Sequence, residues 1–126
     1  MHKSVKDMLA EANAAVPKMP ASEALERYRA GAAVIVDVRD PNEVQQTGSV
    51  KGALNVSRGM LEFRADPESP YHDAAFRKDT TILLHCASGG RSALAGKVLN
   101  DMGYTKVFNI GSFKELAEAG ADIEPA

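Results

Sequence analysis

The residues best suited to chemistry lie in one short segment, residues 85–92, which reads HCASGGRS. Its Cys86 is the only cysteine of the 126-residue chain, which excludes an internal disulfide and a metal site built from several cysteines. A free thiol with a pKa of ~8.5 is only about 3% ionised at pH 7, but a helix N-terminus or a nearby cation can make the thiolate its main form. Cys86 is therefore either a nucleophile or a small buried hydrophobic residue at the end of a strand.

The residues after the cysteine have the composition of an anion-binding loop. Gly89 and Gly90 let the backbone turn sharply, so that successive N–H groups can point at one centre. Because the segment follows an apolar run and opens a helical pattern, we expect it at the carboxyl end of a parallel strand, where open α/β sheets bind ligands. Arg91 adds a positive charge and Ser92 a hydroxyl group. A plain strand-to-helix turn is the alternative interpretation.

Three apolar runs predict the strands of a parallel sheet that is covered on both faces. They are AVIVDV at 33–38, TILLHC at 81–86 and KVFNI at 106–110. The spacing of apolar residues predicts helices over 4–16, 22–29, 91–102 and 113–119, the one at 22–29 capped by Ser22. Residues 59–79 read as irregular. The pattern indicates one small α/β domain with a mostly parallel sheet.

Charge and apolar content narrow the classes of partner. Fifteen Lys and Arg stand against seventeen Asp and Glu, a net charge of −2, so nucleic acid is not expected as a main partner. No apolar run approaches the ~20 residues of a membrane span, and a lone thiol fits a reducing compartment, so we expect a cytoplasmic protein without membrane partners. His2, His72 and His85 are too scattered to support a metal site, and His85 is expected to pack within its strand.

Four motifs, taken in chain order, resemble those of the rhodanese-like sulfurtransferase family. They are Asp37-Val38-Arg39 followed by Glu43, Gly48-x-x-x-Gly52-Ala53-x-Asn55, Cys86-x-x-Gly89-x-Arg91-Ser92, and Gly111-Ser112-Phe113 with Gly120. The resemblance implies an α/β, three-layer fold with a five-stranded, mostly parallel central sheet flanked by helices. It implies a rhodanese-like domain over residues 18–126, preceded by an N-terminal helical extension over residues 1–17. The chain departs from the family at Ser49, where histidine is common, and at Leu116, where tryptophan is common.

The resemblance also implies an activity and a set of site residues. Cys86 would attack the outer sulfur of a small anionic donor such as thiosulfate, and no cofactor is expected. The resulting persulfide would pass its sulfur to cyanide, to a thiol or to a sulfur-relay protein. The substrate-binding residues would be Ala87, Ser88, Gly89, Gly90, Arg91 and Ser92, and the supporting residues Asp37, Arg39 and Glu43. Asp37 and Arg39 are expected to form a structural ion pair, and Arg91 either binds the donor or is braced by Asp37 or Glu43.

Two other functions stay open on the sequence. Cysteine-dependent phosphatases carry His-Cys, five residues and then Arg, whereas here four residues separate Cys86 from Arg91. The shorter loop makes a smaller anion-binding site, which favours sulfur transfer over the hydrolysis of a phosphate ester. A sulfur-carrier or interaction module, which turns over slowly without a partner, would keep the same residues and is the second alternative.

Overall fold

A four-stranded parallel sheet lies at the centre of the computed structural model, which describes residues 2–126. In spatial order its strands are β3 (Leu54–Asn55), β1 (Val34–Asp37), β4 (Ile82–Cys86) and β5 (Val107–Ser112). A separate antiparallel pair joins β2 (Ser49–Val50) to β6 (Ile123–Glu124). The expected α/β fold, with a mostly parallel sheet flanked by helices, is confirmed.

The central sheet has four strands where five were expected. Beside β5, Lys18 forms a single parallel bridge with Asn109. Pro17 and Pro20 flank this bridge, and a proline has no N–H to donate to a sheet. The segment is therefore too interrupted to extend the bridge into a fifth strand.

Six α-helices lie within residues 2–126, and none of them is long and apolar enough to cross a membrane. They are α1 (Val5–Ala15), α2 (Ala21–Arg29), α3 (Pro41–Thr47), α4 (Leu61–Ala65, after a turn of 3-10 helix at Arg58–Met60), α5 (Gly90–Asp101) and α6 (Phe113–Glu118). The predicted cap of α2 at Ser22 was wrong. The helix begins at Ala21, and its N-cap is Pro20, two residues before Ser22. The proline ring holds φ at −59°, a value that suits the entry to a helix.

Two helices lie where the sequence pattern predicted none. The α3 helix contains no buried residue, so it has no apolar stripe from which a helical period could be read. The α4 helix lies inside the stretch that was expected to be irregular, with Leu61 and Ala65 buried. Its five residues are little more than one turn, which is too short for a period to repeat.

The two faces of the sheet are covered by different helices. On one face Val36 and Leu84 pack in a core that includes residues of α4 and α5. On the other face Ile35 and Leu83 pack with residues of α2 and α6. Because successive side chains of a strand point to opposite faces, the apolar runs fill both cores and give the three layers that the resemblance implied.

The α1 helix packs against α5 and begins at the Ser4–Asp7 capping box. Its contact with α5 is close, because a Cβ added at Gly96 would lie 2.7 Å from a methyl group of Val16. Only a glycine at this position of α5 leaves room for the buried Val16 side chain. The N-terminal segment is thus packed tightly onto the rest of the molecule.

The order of the strands places the reactive loop at the carboxyl end of a central strand. β4 lies between β1 and β5, and its last residue is Cys86. The loop that follows turns at Gly89, whose φ is 100°, and leads directly into α5. Asp37, at the end of β1, lies in register beside His85. Residues that follow β1 therefore lie at the same end of the sheet as the cysteine, where the parallel strands have their carboxyl ends.

Candidate active site

Cys86 ends β4 with its side chain buried, and the loop that follows turns back over its sulfur. The backbone N–H of Gly89 donates a hydrogen bond to Sγ across 3.0 Å. The hydroxyl oxygen of Ser92, in the first turn of α5, lies 3.5 Å from the same sulfur. The left-handed backbone of Gly89 makes this return possible, since other residues rarely adopt a positive φ. The loop therefore presents hydrogen-bond donors to one sulfur atom.

These contacts favour the ionised form of the thiol. Burial by itself raises the pKa of Cys86, because the thiolate loses contact with water. Hydrogen bonds from the Ser92 side chain and from the backbone of Ser92, Ser88 and Gly89 act in the opposite direction and outweigh it. The pKa of Cys86 is lowered as a result. The thiolate is the nucleophilic form, so the site is arranged for attack by sulfur.

Asn109 holds the loop in place, and no sequence motif singled it out. Its Oδ1 accepts hydrogen bonds from the Ser92 hydroxyl at 2.8 Å and from the Gly111 N–H at 3.0 Å. Its Nδ2 donates to the carbonyl of Gly89 at 3.1 Å. The sequence offered one indication of this role, an amide side chain within the predicted strand KVFNI, because a buried polar side chain in a strand needs hydrogen-bond partners.

Arg91 is held by an acid of another element. Its Nη1 and Nη2 donate to the two carboxylate oxygens of Glu43, in α3, at 2.7 and 2.8 Å. This pairing lowers the pKa of Glu43 to about 2 and raises that of Arg91. Of the two acids considered for bracing Arg91, the structure pairs it with Glu43. Its guanidinium therefore lies against α3 and closes one side of the loop.

Asp37 and Arg39 form a buried ion pair behind the loop. Nε and Nη2 of Arg39 donate to the two carboxylate oxygens of Asp37, with the shortest distance 2.8 Å. Arg39 also donates to the hydroxyl of Thr47 and the carbonyl of Gly48, and its guanidinium lies 4.4 Å from the ring centre of Phe113. Both charges are almost fully buried, so Arg39 links the end of β1 to the end of α3. The Glu43 that holds Arg91 is thereby fixed as well.

His85 is fully buried next to this pair. Its Nδ1 lies 3.3 Å from the carbonyl oxygen of Cys86, and its Nε2 lies 3.7 Å from Asp37, too far for a hydrogen bond. Burial lowers the pKa of His85, although the charge of Asp37 opposes this. A neutral His85 that contacts the Cys86 backbone is consistent with packing rather than with proton transfer.

Of the other predicted loop residues, Ser88 contacts Cys86 through its backbone. Ala87 and Ser88 are exposed, and Gly90 is the first residue of α5. Within residues 2–126 no group of three histidine, cysteine or acidic side chains could hold a metal ion. The structure thus brings the predicted residues of the loop, of the end of β1 and of α3 together at the carboxyl ends of the strands. Their catalytic roles stay predictions.

The model of the rhodanese-like domain family matches residues 20–119, which is most of the chain. The matched region includes the first three motifs, the reactive loop among them, and Gly111-Ser112-Phe113 of the fourth. The chain belongs to the rhodanese-like domain family.

Several relatives of this rhodanese-like chain have been described. It is 34% identical over 82 residues to the thiosulfate sulfurtransferase PspE of Escherichia coli K12, covering 65% of this chain and 72% of the relative. It is similar to the human single-domain sulfurtransferase TSTD1, with 25% identity, a TM-score of 0.70, and coverage of 82% of this chain and 96% of that one. A structure from Rhodopseudomonas palustris is described as a protein of unknown function and possible tyrosine phosphatase. It is 41% identical to this chain, with a TM-score of 0.89, and the match covers 98% of this chain and 96% of that one.

The rhodanese-like loop of this chain combines three chemical properties. It holds a thiol whose pKa is lowered, it directs a backbone N–H at the sulfur, and it opens into the N-terminus of α5. A helix N-terminus favours negative charge. Such a site can form a thiolate and hold an anion beside it.

Proposed function

We propose that this protein is a sulfurtransferase that carries a sulfane sulfur on Cys86 as a persulfide. The observation that carries the proposal is the 3.0 Å hydrogen bond from the Gly89 N–H to Sγ, made inside a loop that begins a helix. A donor so placed stabilises a thiolate before the reaction and a charged persulfide after it. Membership of the rhodanese-like family and the similarity to proteins named as sulfurtransferases support the same activity.

The first half-reaction loads the cysteine. The Cys86 thiolate attacks the outer sulfur of thiosulfate, and a new S–S bond forms to Sγ. The old S–S bond breaks, and its electron pair leaves with sulfite. One thiolate and one dianion give one persulfide anion and one dianion, so no proton and no external oxidant is needed. This division of the transfer into two steps is covalent catalysis.

The loop lowers the energy of this step through backbone donors. The backbone N–H of Gly89 contacts Sγ, and the backbone groups of Ser88 and Ser92 also favour the thiolate. Their dipoles need not reorient during the reaction. Arg91 adds positive charge near the sulfur, although both of its terminal nitrogens are bonded to Glu43. Arg91 therefore acts as a positioning residue for the loop, because the ionised Glu43 carboxylate balances its charge at longer distances.

The second half-reaction must use an acceptor from outside the chain. An internal thiol could otherwise attack the persulfide and release the sulfur, but Cys86 is the only cysteine. Cyanide, a small thiol or the thiol of a sulfur-relay protein would take the outer sulfur and return Cys86 to the thiolate. A protein that turned over only with such a relay partner would be a sulfur carrier.

The rival activity is phosphatase, which the description of the R. palustris structure suggests for that protein. Two features of this chain argue against it. Four residues separate Cys86 from Arg91, and the guanidinium that would bind phosphate with two parallel hydrogen bonds already makes both of them to Glu43. The geometry favours a smaller ligand that is held by backbone donors.

Intact-mass measurement after incubation with thiosulfate tests the proposal. We expect one added sulfur atom per chain, removable by dithiothreitol and absent in Cys86→Ser. Ser88→Ala should load like the wild type, because Ser88 acts on Cys86 through its backbone, which the substitution keeps. An unmodified wild type, or equal loading of Cys86→Ser, would overturn the persulfide mechanism. Hydrolysis of an aryl phosphate without sulfur loading would establish the phosphatase instead.

A further inference from the structure

A cleft of about 630 Å³ lies beside the loop that follows Cys86. Ser88, Gly89 and Gly90 line it from the loop, and Asn109 lines it from β5. Clefts of roughly 300–1,000 Å³ hold organic molecules of moderate size. Cyanide or thiosulfate would fill a small part of this volume. The cleft therefore has room for a larger reactant next to the residue whose N–H contacts the sulfur.

Part of the wall comes from the N-terminal segment, outside residues 20–119 that match the family. Leu9 and Asn13 of α1 and the following Lys18 line the cleft. Leu9 reaches the loop itself, since a Cβ added at Gly90 would lie 3.9 Å from one of its methyl groups. Because α1 is packed closely onto α5, this wall is part of the folded structure. These side chains distinguish the cleft from what the family core alone provides.

The cleft carries one positive and one negative side chain, Lys18 and Glu115. No salt bridge joins them within residues 2–126, so each charge can act on a ligand. Oε1 of Glu115 accepts hydrogen bonds from the backbone and hydroxyl of Ser112, which fixes the direction of the carboxylate. A ligand that carries both a carboxylate and an ammonium group would match the two charges. Leu9 and Ile110 would contact its carbon atoms.

We propose that this cleft binds the acceptor, a zwitterionic thiol, and that Lys18 and Glu115 determine its specificity. The inference rests on the proposed function, which requires a thiol from outside the chain. In the transfer, the acceptor thiolate attacks the outer sulfur of the Cys86 persulfide. The new S–S bond forms as the old one breaks, and the electron pair of the broken bond returns to Sγ. The products are an acceptor persulfide and the free Cys86 thiolate.

Four thiols that differ only in their charged groups test the two residues. L-cysteine carries both charges, 3-mercaptopropionate the carboxylate, cysteamine the ammonium and 2-mercaptoethanol neither. With thiosulfate as donor, Lys18→Met should raise KM for the first two by about fivefold, the effect of losing an ion pair of ~1 kcal/mol. Glu115→Gln should raise KM for L-cysteine and cysteamine by a similar factor. Each comparison is made on the same thiol, so intrinsic reactivity cancels.

Lys6→Met is the matched control, because Lys6 is an exposed lysine of α1 that does not line the cleft. It should change KM for every thiol by less than twofold, and Lys18→Arg should keep most of the preference for carboxylates. Equal changes in KM for all four thiols, or none in either variant, would overturn the assignment.

A binding measurement separates this inference from the proposed function. S-methyl-L-cysteine has both charges but no thiol, so it can bind without reacting. Titrated into the unloaded protein, it should shift the amide resonances of Gly89 and Gly90 with saturation, and Lys18→Met should weaken its Kd by about fivefold. A wild type that binds it but gains no sulfur from thiosulfate would keep the cleft site and reject the sulfurtransferase. A wild type that gains sulfur without saturable binding would do the reverse.

Discussion

The hydroxyl oxygen of Ser92 lies 2.8 Å from Oδ1 of Asn109, and the same oxygen lies 3.5 Å from the sulfur of Cys86. The carbonyl oxygen of Gly89 is a third acceptor, 3.1 Å from the same hydroxyl. A hydroxyl has one proton, so it cannot donate fully to all three neighbours at once. The shortest contact favours Asn109 while the thiol is neutral, and the charge of a thiolate favours donation to Sγ. Asn109 thus holds the hydroxyl in place until the cysteine ionises.

Loss of the Ser92 hydroxyl should make Cys86 a weaker acid. In Ser92→Ala the burial that raises the pKa of Cys86 remains, while one of the hydrogen bonds that lower it is gone. The midpoint of the rate of alkylation by iodoacetamide against pH should therefore move to higher pH, and sulfur loading at pH 7 should slow. Ser88→Ala is the control, because Ser88 acts through its backbone N–H, which the substitution keeps. Identical midpoints for Ser92→Ala and the wild type would show that the hydroxyl does not stabilise the thiolate.

Asn109→Asp should destabilise the protein and disturb the loop. The change keeps the acceptor Oδ1 but replaces the Nδ2 donor, so the carbonyl of Gly89 faces a carboxylate oxygen. An unsatisfied buried polar group costs about 1–3 kcal/mol, which urea unfolding at pH 7 would measure. Asn100→Asp loses a longer and more exposed amide contact of 3.4 Å and should change stability by less than about 0.5 kcal/mol. Equal effects of the two substitutions would contradict a bracing role for Asn109.

Asp37→Asn should be among the most destabilising single changes in the protein. It leaves the almost fully buried guanidinium of Arg39 without its compensating charge. Removing one partner of a buried pair costs about 3–5 kcal/mol, and thermal or urea unfolding would show the loss. Asp79→Asn breaks a pair with Arg77 whose side chains are about 70% exposed, and such pairs contribute about 0–1 kcal/mol. A loss below about 1 kcal/mol in Asp37→Asn would show that Arg39 finds other partners.

The Arg91–Glu43 pair should make stability depend on acid pH. Pairing with Arg91 lowers the pKa of Glu43 from its ordinary value of 4.5 to about 2. A carboxyl group with a lowered pKa stabilises the folded state above its ordinary pKa, and this stabilisation is lost as the pH falls through the folded value. The stability difference between the wild type and Glu43→Gln should be complete above about pH 5, shrink below pH 4.5 and vanish near pH 2. A difference that did not change between pH 6 and pH 3 would contradict the pairing in solution.

The sequence by itself determined the local part of the site. An apolar run, a cysteine, two glycines and a helical pattern, all within about twenty residues, predicted a strand, a tight loop and a helix in that order. The strand ends at Cys86, the turn falls at Gly89 and the helix begins at Gly90. These features follow from short-range rules, namely the period of the apolar residues and the backbone freedom of glycine. The rhodanese-like family and the α/β fold were also predicted correctly from motifs.

The tertiary structure alone decided which distant residues meet at that loop. Glu43 and Arg91 are 48 positions apart, and the sequence left both Asp37 and Glu43 as candidates for the acid. The order of the strands places α3 beside the loop, and Asp37 is already paired with Arg39. Asn109 is found 17 positions from Ser92 only because β5 runs next to β4. Such contacts depend on which strands are neighbours, and no periodicity within a single segment encodes that order.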